Sequence, residues 1–467
     1  MRKSFLYNKT AKTSKSQAEK AEPLQMPSGL ASIGEYPPRS QGWWAVAVFA
    51  VAAVLSYTDR QILALLVDPI RGDLHISDTQ LSILQGAAFA VLYSFIGLPL
   101  GRIADIVPRR ALLVFAVTMW SFGTIVCGFS DSFAALFAAR LLVGIGEAAL
   151  APAAMSLIAD YFPPQVRAFP TGVFLTGMVI GGGAAIAIGG FLLSAAEHAA
   201  FAGLPVLGAL PPWRNVLVVL GLIGLAMAPI FLTLREPGTR GFSYREVSAR
   251  LLSLTGTFRI FRNQYALLLP LYGAMAIGSI VDYAILSWTP ALLSRHFAFT
   301  PGEVGAALGG IAIAAGLIGT PLGGFLADRI AERFGPLARI PLCGFIMIFG
   351  FIGAPVGILS SSTMTLFSAF AWIAISSTAG CIGIATTLDL LPHESRGLGT
   401  ATIAFCNTIV GLGLGPTLVA LATDYIYRDT AAVGLALTTV VTPAVALCCL
   451  LFFAAARAMR REAAVAT

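Results

Sequence analysis

Charge is scarce in this sequence. Of its 467 residues, 11% are Asp, Glu, Lys or Arg, where a soluble chain carries about 25%. Lysine is absent after Lys20. That scarcity excludes an ordinary soluble domain. The formal charge is +7, but the five lysines fall within the first 20 residues and the other basic residues are arginines, mostly in short loops; no basic helix is interleaved with aromatics, so nucleic acid is not a partner. Histidine is rare too: His75, His198, His296 and His393 fall in loops or at the ends of apolar runs. The six cysteines, Cys127, Cys343, Cys381, Cys406, Cys448 and Cys449, lie in apolar runs without a C-x-x-C. They read as small buried hydrophobes, not as a disulfide frame or metal site. H-E-x-x-H and G-x-S-x-G are absent. "GIGE" (144–147) and "GLGLG" (411–415) follow no strand, so neither is a nucleotide loop. An enzyme is therefore disfavoured, and no cofactor is expected.

What is present is apolar length. Hydrophobic residues make up 57% of the chain, and the mean hydropathy is +0.82. A membrane helix needs about 20 mainly apolar residues. Twelve runs qualify, near 43–68, 78–104, 110–130, 133–160, 168–195, 213–234, 264–293, 301–328, 338–358, 362–390, 397–424 and 431–456. They are too long and continuous for barrel strands, which leaves an α-helical bundle. Lys and Arg set its orientation. With both termini in the cytoplasm, 24 of the 30 basic residues lie inside and four outside, namely Arg71, Arg214, Arg295 and Arg428. Arg60 and Arg140 fall within spans. The polar start of the chain lacks a cleavable signal core. Compact loops and a basic cytoplasmic face suit a bacterial inner membrane.

The halves repeat. "GRIAD" (101–105) returns as "GFLAD" (324–328), an offset of 223 that also maps Asp59 onto Asp282. D-x-x-P-x-x-x-R occurs at Asp160, Pro163 and Arg167, and again at Asp389, Pro392 and Arg396. Six spans separate the copies, so both halves enter the membrane in the same sense. The expected fold is an all-α polytopic membrane protein, with twelve transmembrane helices in two parallel six-helix repeats around a central cavity. Its parts are a cytoplasmic tail (1–40), a bundle (41–234), a linker with an amphipathic helix (235–262), a second bundle (263–458) and a short tail (459–467).

From about 43 to 456 the chain resembles the major facilitator superfamily, whose signature loop is similar to the two G-x-x-x-D segments. Within it, "YTDRQ" (57–61) and "RLLVGIGEAALAPA" (140–153) resemble the spinster family. That resemblance implies a proton-linked transporter of lysophospholipids or sphingoid phosphates, working by alternating access. Its partners would be membrane lipids, a small amphiphilic substrate and protons, and it would act as a monomer. The nearest rival is an exporter of drugs or organic anions on the same fold. A rival of another class is a passive channel or scramblase.

Four charges inside spans need a reason: Asp59, Arg60, Arg140 and Glu147. A charge at mid-membrane costs roughly 2.5 to 3.5 kcal/mol, so such groups find a cavity or a partner. Arg140 and Glu147 are seven apart and share a helix face. Counting depth brings Asp59 and Arg140 to one level, which makes pairing feasible. Asp59 can then face the fourth span, with Arg60 facing the cavity or another acid. Formally the cluster sums to zero, so protonating either acid frees an arginine. A buried ion-pair network that only fixes helix register is the competing reading.

By resemblance, Asp59 and Glu147 are the proton-site candidates, Arg60 the substrate or switch cation, and Arg140 a structural partner. Asp282 is a lining acid, a second proton site, or a carboxyl bonded to neighbours on the seventh span. Tyr57, Tyr283 and Trp288 are further cavity candidates. The cytoplasmic gate candidates are Asp105, Arg109, Arg110, Asp160, Arg167, Asp328, Arg329, Arg333, Asp389 and Arg396. Four G-x-x-x-G pairs, at Gly177, Gly305, Gly319 and Gly411, allow close helix contact. They fall in spans expected to line the interface between halves.

Overall fold

The computed structural model describes residues 36–163, 165–237, 262, 264–391 and 396–466. Within these, the side chains of 98, 101–106, 168, 336, 396–398, 400 and 462–466 lie outside the description. So does most of the segment expected to form the amphipathic linker helix, 238–261.

Eleven of the described helices are long and apolar enough to cross a membrane. In the first half they are α1 (Arg39–Ala64), α2 (Asp78–Gly97), α3 (Arg109–Gly128), α4 (Phe133–Tyr161), α5 (Phe169–Glu197) and α6 (Pro212–Thr233). In the second half they are α7 (Tyr265–Phe297), α8 (Pro301–Phe334), α10 (Ser362–Leu390), α11 (Ala401–Tyr427) and α12 (Thr430–Arg461). The ninth span, α9 (Arg339–Ile352), is shorter. Glycine explains its early end, since Gly350 lies in its last turn, Gly353 and Gly357 follow closely, and the chain continues as turns. The helix of α12 continues to Ala466, so the expected last tail is mostly helical.

Large apolar side chains cover the outside of the bundle: Phe169, Phe191 and Leu269 are 71%, 70% and 72% exposed. A soluble protein rarely exposes so many large apolar side chains; hydrocarbon is their natural solvent. The molecule is an integral, multi-pass membrane protein.

Two helices break where the site lies. α1 is α-helical to Gln61 and then tightens to a 3-10 turn over Ile62–Ala64. α4 stops at Glu147, turns at Ala148 and Ala149, and restarts at Leu150. Pro152 explains that break, because it cannot donate to the carbonyl of Ala148 four residues earlier. Each break releases backbone carbonyls in the interior, and they need donors.

The loops after odd-numbered spans share one face of the bundle, the odd-loop face, and the others share the even-loop face. On the odd-loop face the halves touch. Arg295 of α7 binds Asp68 at 2.8 Å and both oxygens of Asp78 at 2.9 and 3.0 Å. Asp424 of α11 accepts from the Thr79 N–H and hydroxyl at 2.8 and 2.7 Å. Among the described residues, every ion pair on the even-loop face stays within one half or joins that half to the start of the linker.

The glycine pairs correct one expectation. Only Gly305 and Gly309 serve the interface between halves, against Ile186, Gly190 and Gly183 of α5. A Cβ on Gly177 or Gly181 would instead meet α1, one on Gly319 or Gly323 would meet α10, and one on Gly411 or Gly415 would meet α7. Those three pairs pack helices within a half. All six cysteines are free, with Cys381 and Cys406 only partly buried.

Gly181 supports the site directly, since a Cβ there would lie 2.6 Å from the Tyr57 Cβ. Gly182 has nothing within 4 Å. Gly181→Ala is expected to destabilise the protein in detergent by about 1 to 3 kcal/mol through overpacking. Gly182→Ala should be neutral or mildly stabilising, as a helix gains about 1 kcal/mol on replacing Gly with Ala. Thermal melts of the two variants check this, and equal melting would refute the close contact.

Candidate functional site

The charged residues foreseen in the first half converge. Arg60 and Glu147, 5% and 1% exposed, form an ion pair at 2.9 Å. The same Glu147 oxygen accepts from the Ser56 hydroxyl at 2.8 Å. Arg60 is also enclosed by rings: its guanidinium carbon lies 4.6, 4.4 and 4.7 Å from the centroids of Tyr57, Phe89 and Tyr93. Cation–π attraction adds about 2 kcal/mol or more when water is excluded. Phe89 and Tyr93 were not anticipated. They are one turn apart on α2, on one face, a spacing that ordinary core residues share and that therefore gave no signal.

Arg140 behaves differently from the expectation. It forms no ion pair with the Asp59 carboxylate. Its Nη1 and Nη2 donate to the backbone carbonyls of Asp59 and Arg60 at 3.1 and 3.5 Å, and its Nε donates to the carbonyl of Leu84 at 3.3 Å. Those carbonyls lie where α1 tightens and where the first segment of α2 ends. Helix ends leave such groups unpaired and favour a cation nearby. The planar fork of arginine suits three diverging acceptors. Asp59 itself, 4% exposed, lies beside Thr124 of α3 and within electrostatic reach of Arg140 and Glu147. The depth argument placed these residues together, and the broken helix ends decide which atoms bond.

In the second half, Asp282 accepts from the Trp372 indole at 2.7 Å and lies beside Ser376, both on α10. Its partners are therefore on the tenth span. Tyr283 of α7 lies within electrostatic reach of Arg60. Trp288 is fully buried and donates to the Pro416 carbonyl at 2.9 Å, so it packs α7 on α11.

The gate candidates form two related clusters on the even-loop face. Arg109, 3% exposed, binds Asp160, Glu236 at 3.0 Å, Ser156 at 3.1 Å and the Pro237 carbonyl at 3.1 Å. The Arg110 backbone N–H donates to Glu236 at 2.8 Å. Arg339 binds Asp389 and, at 3.5 Å, Asp328. Arg339 and Glu236 were not anticipated, though the repeat offers the first. Position 339 lies 230 after Arg109, almost the offset that relates Asp160 to Asp389. Arg167 pairs with neither Asp, donating instead to the carbonyls of Ala159 and Phe162 at 2.6 and 3.2 Å. Arg329 and Arg333 lie over Phe325 and Phe334, each 5.4 Å from the centroid. The side chains of Asp105 and Arg396 lie outside the described residues.

A two-repeat bundle with buried charges between broken helices defines a secondary transporter rather than an enzyme. The Major Facilitator Superfamily model matches residues 49–416, and the chain belongs to that family. An MFS-type efflux pump of Mycolicibacterium smegmatis is 27% identical over 85% of this chain and 87% of its own length. Protein spinster of Drosophila melanogaster is 26% identical over 71% of this chain and 52% of its own. A bacterial homologue of the human lysosomal transporter Spinster, solved inward-facing and unoccupied, superposes with a TM-score of 0.77. It is 23% identical and covers 92% of this chain and 99% of its own. Within the superfamily the chain is similar to spinster proteins and to this efflux pump.

The two even-loop clusters differ in burial, and their variants should differ accordingly. Asp160 is 11% exposed, whereas Asp328 and Asp389 are 78% and 40% exposed. Removing one partner of a buried pair costs roughly 3 to 5 kcal/mol; Arg339 is itself buried, but its acids are open to water, where an exposed pair contributes about 0 to 1 kcal/mol. Arg109→Ala should therefore lower the melting temperature far more than Arg339→Ala. Equal losses would show that burial does not set the strength of these pairs.

Proposed function

We propose that this protein is a proton-coupled secondary transporter of an amphiphilic anion, of the lysophospholipid or sphingoid-phosphate class. The observation that carries the proposal is the buried Arg60–Glu147 pair inside its ring of Tyr57, Phe89 and Tyr93. An anionic headgroup competes with Glu147 for Arg60. A carboxylate displaced from its ion-pair partner in a dry interior takes up a proton, because an unpaired buried charge is strongly disfavoured. One anion and one proton then enter together, and the cluster keeps its formal charge. Asp59 is the second proton candidate, and Arg140 holds the breaks in α1 and α2 that carry Asp59 and Arg60.

The orientation follows from the positive charges. The even-loop face is cytoplasmic, both termini lie inside, and the membrane is a bacterial inner membrane. The tied odd-loop face then makes this the inward-facing state. The protein works as a monomer, since each bundle pair encloses its own site.

A second reading has specific support. The efflux pump relative covers more of this chain than the spinster relative does, which favours export of drugs or organic anions by the same coupling.

Proteoliposomes loaded with a trapped pH dye test the proposal. Adding a lysophospholipid or sphingosine phosphate should acidify the lumen with the wild type, and at least tenfold more slowly with Asp59→Asn or Glu147→Gln. Undiminished pH changes in both variants would rule out carboxylate coupling. A wild type that ignores both lipids yet moves protons with an organic anion would favour the exporter.

A further inference from the structure

We propose that the two-turn helix Asp78–Gln85 is a strut that couples closure of the odd-loop face to the buried charges. Asp78, Asp424, Arg295 and Arg140 are its positioning residues. The inference rests on transport by two halves and does not require the proton reading.

The strut is fastened to the second half at its first turn. Asp78 is fully buried and holds Arg295 through both carboxylate oxygens. Arg295 also donates to Asp68 and, at 3.0 Å, to the Thr430 carbonyl. Thr79 gives its N–H to Asp424, so a carboxylate from the opposite half caps the start of this helix. Negative charge is favoured there by the unpaired N–H groups of the first turn. Ser77 and Gln80 form a reciprocal capping box that keeps the turn helical.

The other end is fastened to the charge cluster. The Leu84 carbonyl accepts from Arg140, and the Gln85 amide donates to the Leu63 carbonyl at 3.3 Å. The helix stops at Gly86, where a Cβ would lie 2.1 Å from the Leu412 carbonyl of α11. That carbonyl is free to be approached because Pro416, four residues on, has no N–H to donate to it. Between the two ends, Leu81, Ser82 and Leu84 are fully buried.

Eight helical residues span about 12 Å and do not stretch. Opening the odd-loop face pulls Asp78 and Thr79 away from Arg295 and Asp424. The movement carries Leu84 off Arg140, whose remaining bonds hold the carbonyls of Asp59 and Arg60. The closed face and the complete Arg140 fork therefore stand or fall together. One element is biased from both ends, which is the physical requirement for coupling.

Double electron–electron resonance on the full chain tests this, with its six cysteines replaced and spin labels at Gly72→Cys and His296→Cys. Both positions are exposed on the odd-loop face, in opposite halves, and Gly72 has nothing within 4 Å. Asp78→Asn and Arg140→Lys should each lower the ratio of closed to open distances. In the double variant the fall should be at least threefold smaller than the product of the single effects, because either change already disconnects the strut. Asp73→Asn is the control, since it breaks the Asp73–Arg214 pair on the same face but inside one half. It should combine with Arg140→Lys multiplicatively. Gln85→Met replaces Arg140→Lys if the latter does not fold. Independent effects of Asp78→Asn and the change at the lower end, or an unaltered distance in Asp78→Asn, would overturn the proposal.

Discussion

The Arg60–Glu147 ion pair is the constraint around which the first half is arranged. Two full charges sit together with almost no access to water. A pair in such a place is weak evidence for stability, because desolvation rivals the attraction. What it does provide is intolerance of any step that leaves one charge alone. The cluster of Asp59, Arg60, Arg140 and Glu147 is formally neutral, and each neighbour helps to keep it so. Ser56 shares the Glu147 oxygen, three rings cover the guanidinium, and Arg140 neutralises two broken helix ends.

The bonds that set the conformation lie at the two faces. The odd-loop face is closed by side chains from both halves, and they converge on Arg295 and Asp424. The even-loop clusters, built on Arg109 and Arg339, brace each half separately. They also differ in a useful way. Arg109 fixes the first residues of the linker through Glu236 and Pro237, while the pairs of Arg339 remain more open to water. The two repeats share a design and differ in how firmly it is held.

Much of this was legible in the sequence, for identifiable reasons. Apolar length gave the spans because lipid leaves the chain no alternative to helices. Helical spacing and depth brought Asp59, Arg60, Arg140 and Glu147 to one place, since counting residues along a helix is counting distance. The choice of atoms was not legible. Arg140 selects carbonyls over the Asp59 carboxylate because α1 tightens after Gln61 and the first segment of α2 ends at Gln85, and backbone acceptors leave no mark in a composition. Phe89 and Tyr93 looked like any apolar face, and nothing in the sequence marked the Pro416 carbonyl as the partner of the Trp288 indole. The glycine pairs gave close contacts, but only Gly305 and Gly309 gave the interface between halves, since G-x-x-x-G carries no information about its partner. The odd-loop contacts of Asp68, Asp78 and Arg295 were not anticipated, because the few arginines on that side served only to orient the bundle. Three of the four, Arg71, Arg214 and Arg295, are in ion pairs.

The central claim is that an anion on Arg60 obliges Glu147 to take up a proton. The most direct measurement is proton exchange on binding, in weakly buffered detergent solution with a pH dye and no membrane gradient. Adding a lysophospholipid should draw about one proton per protein from solution in the wild type and none in Glu147→Gln, with the lipid still bound. Equal uptake by both proteins would contradict the account, and binding without uptake in the wild type would remove the coupling altogether.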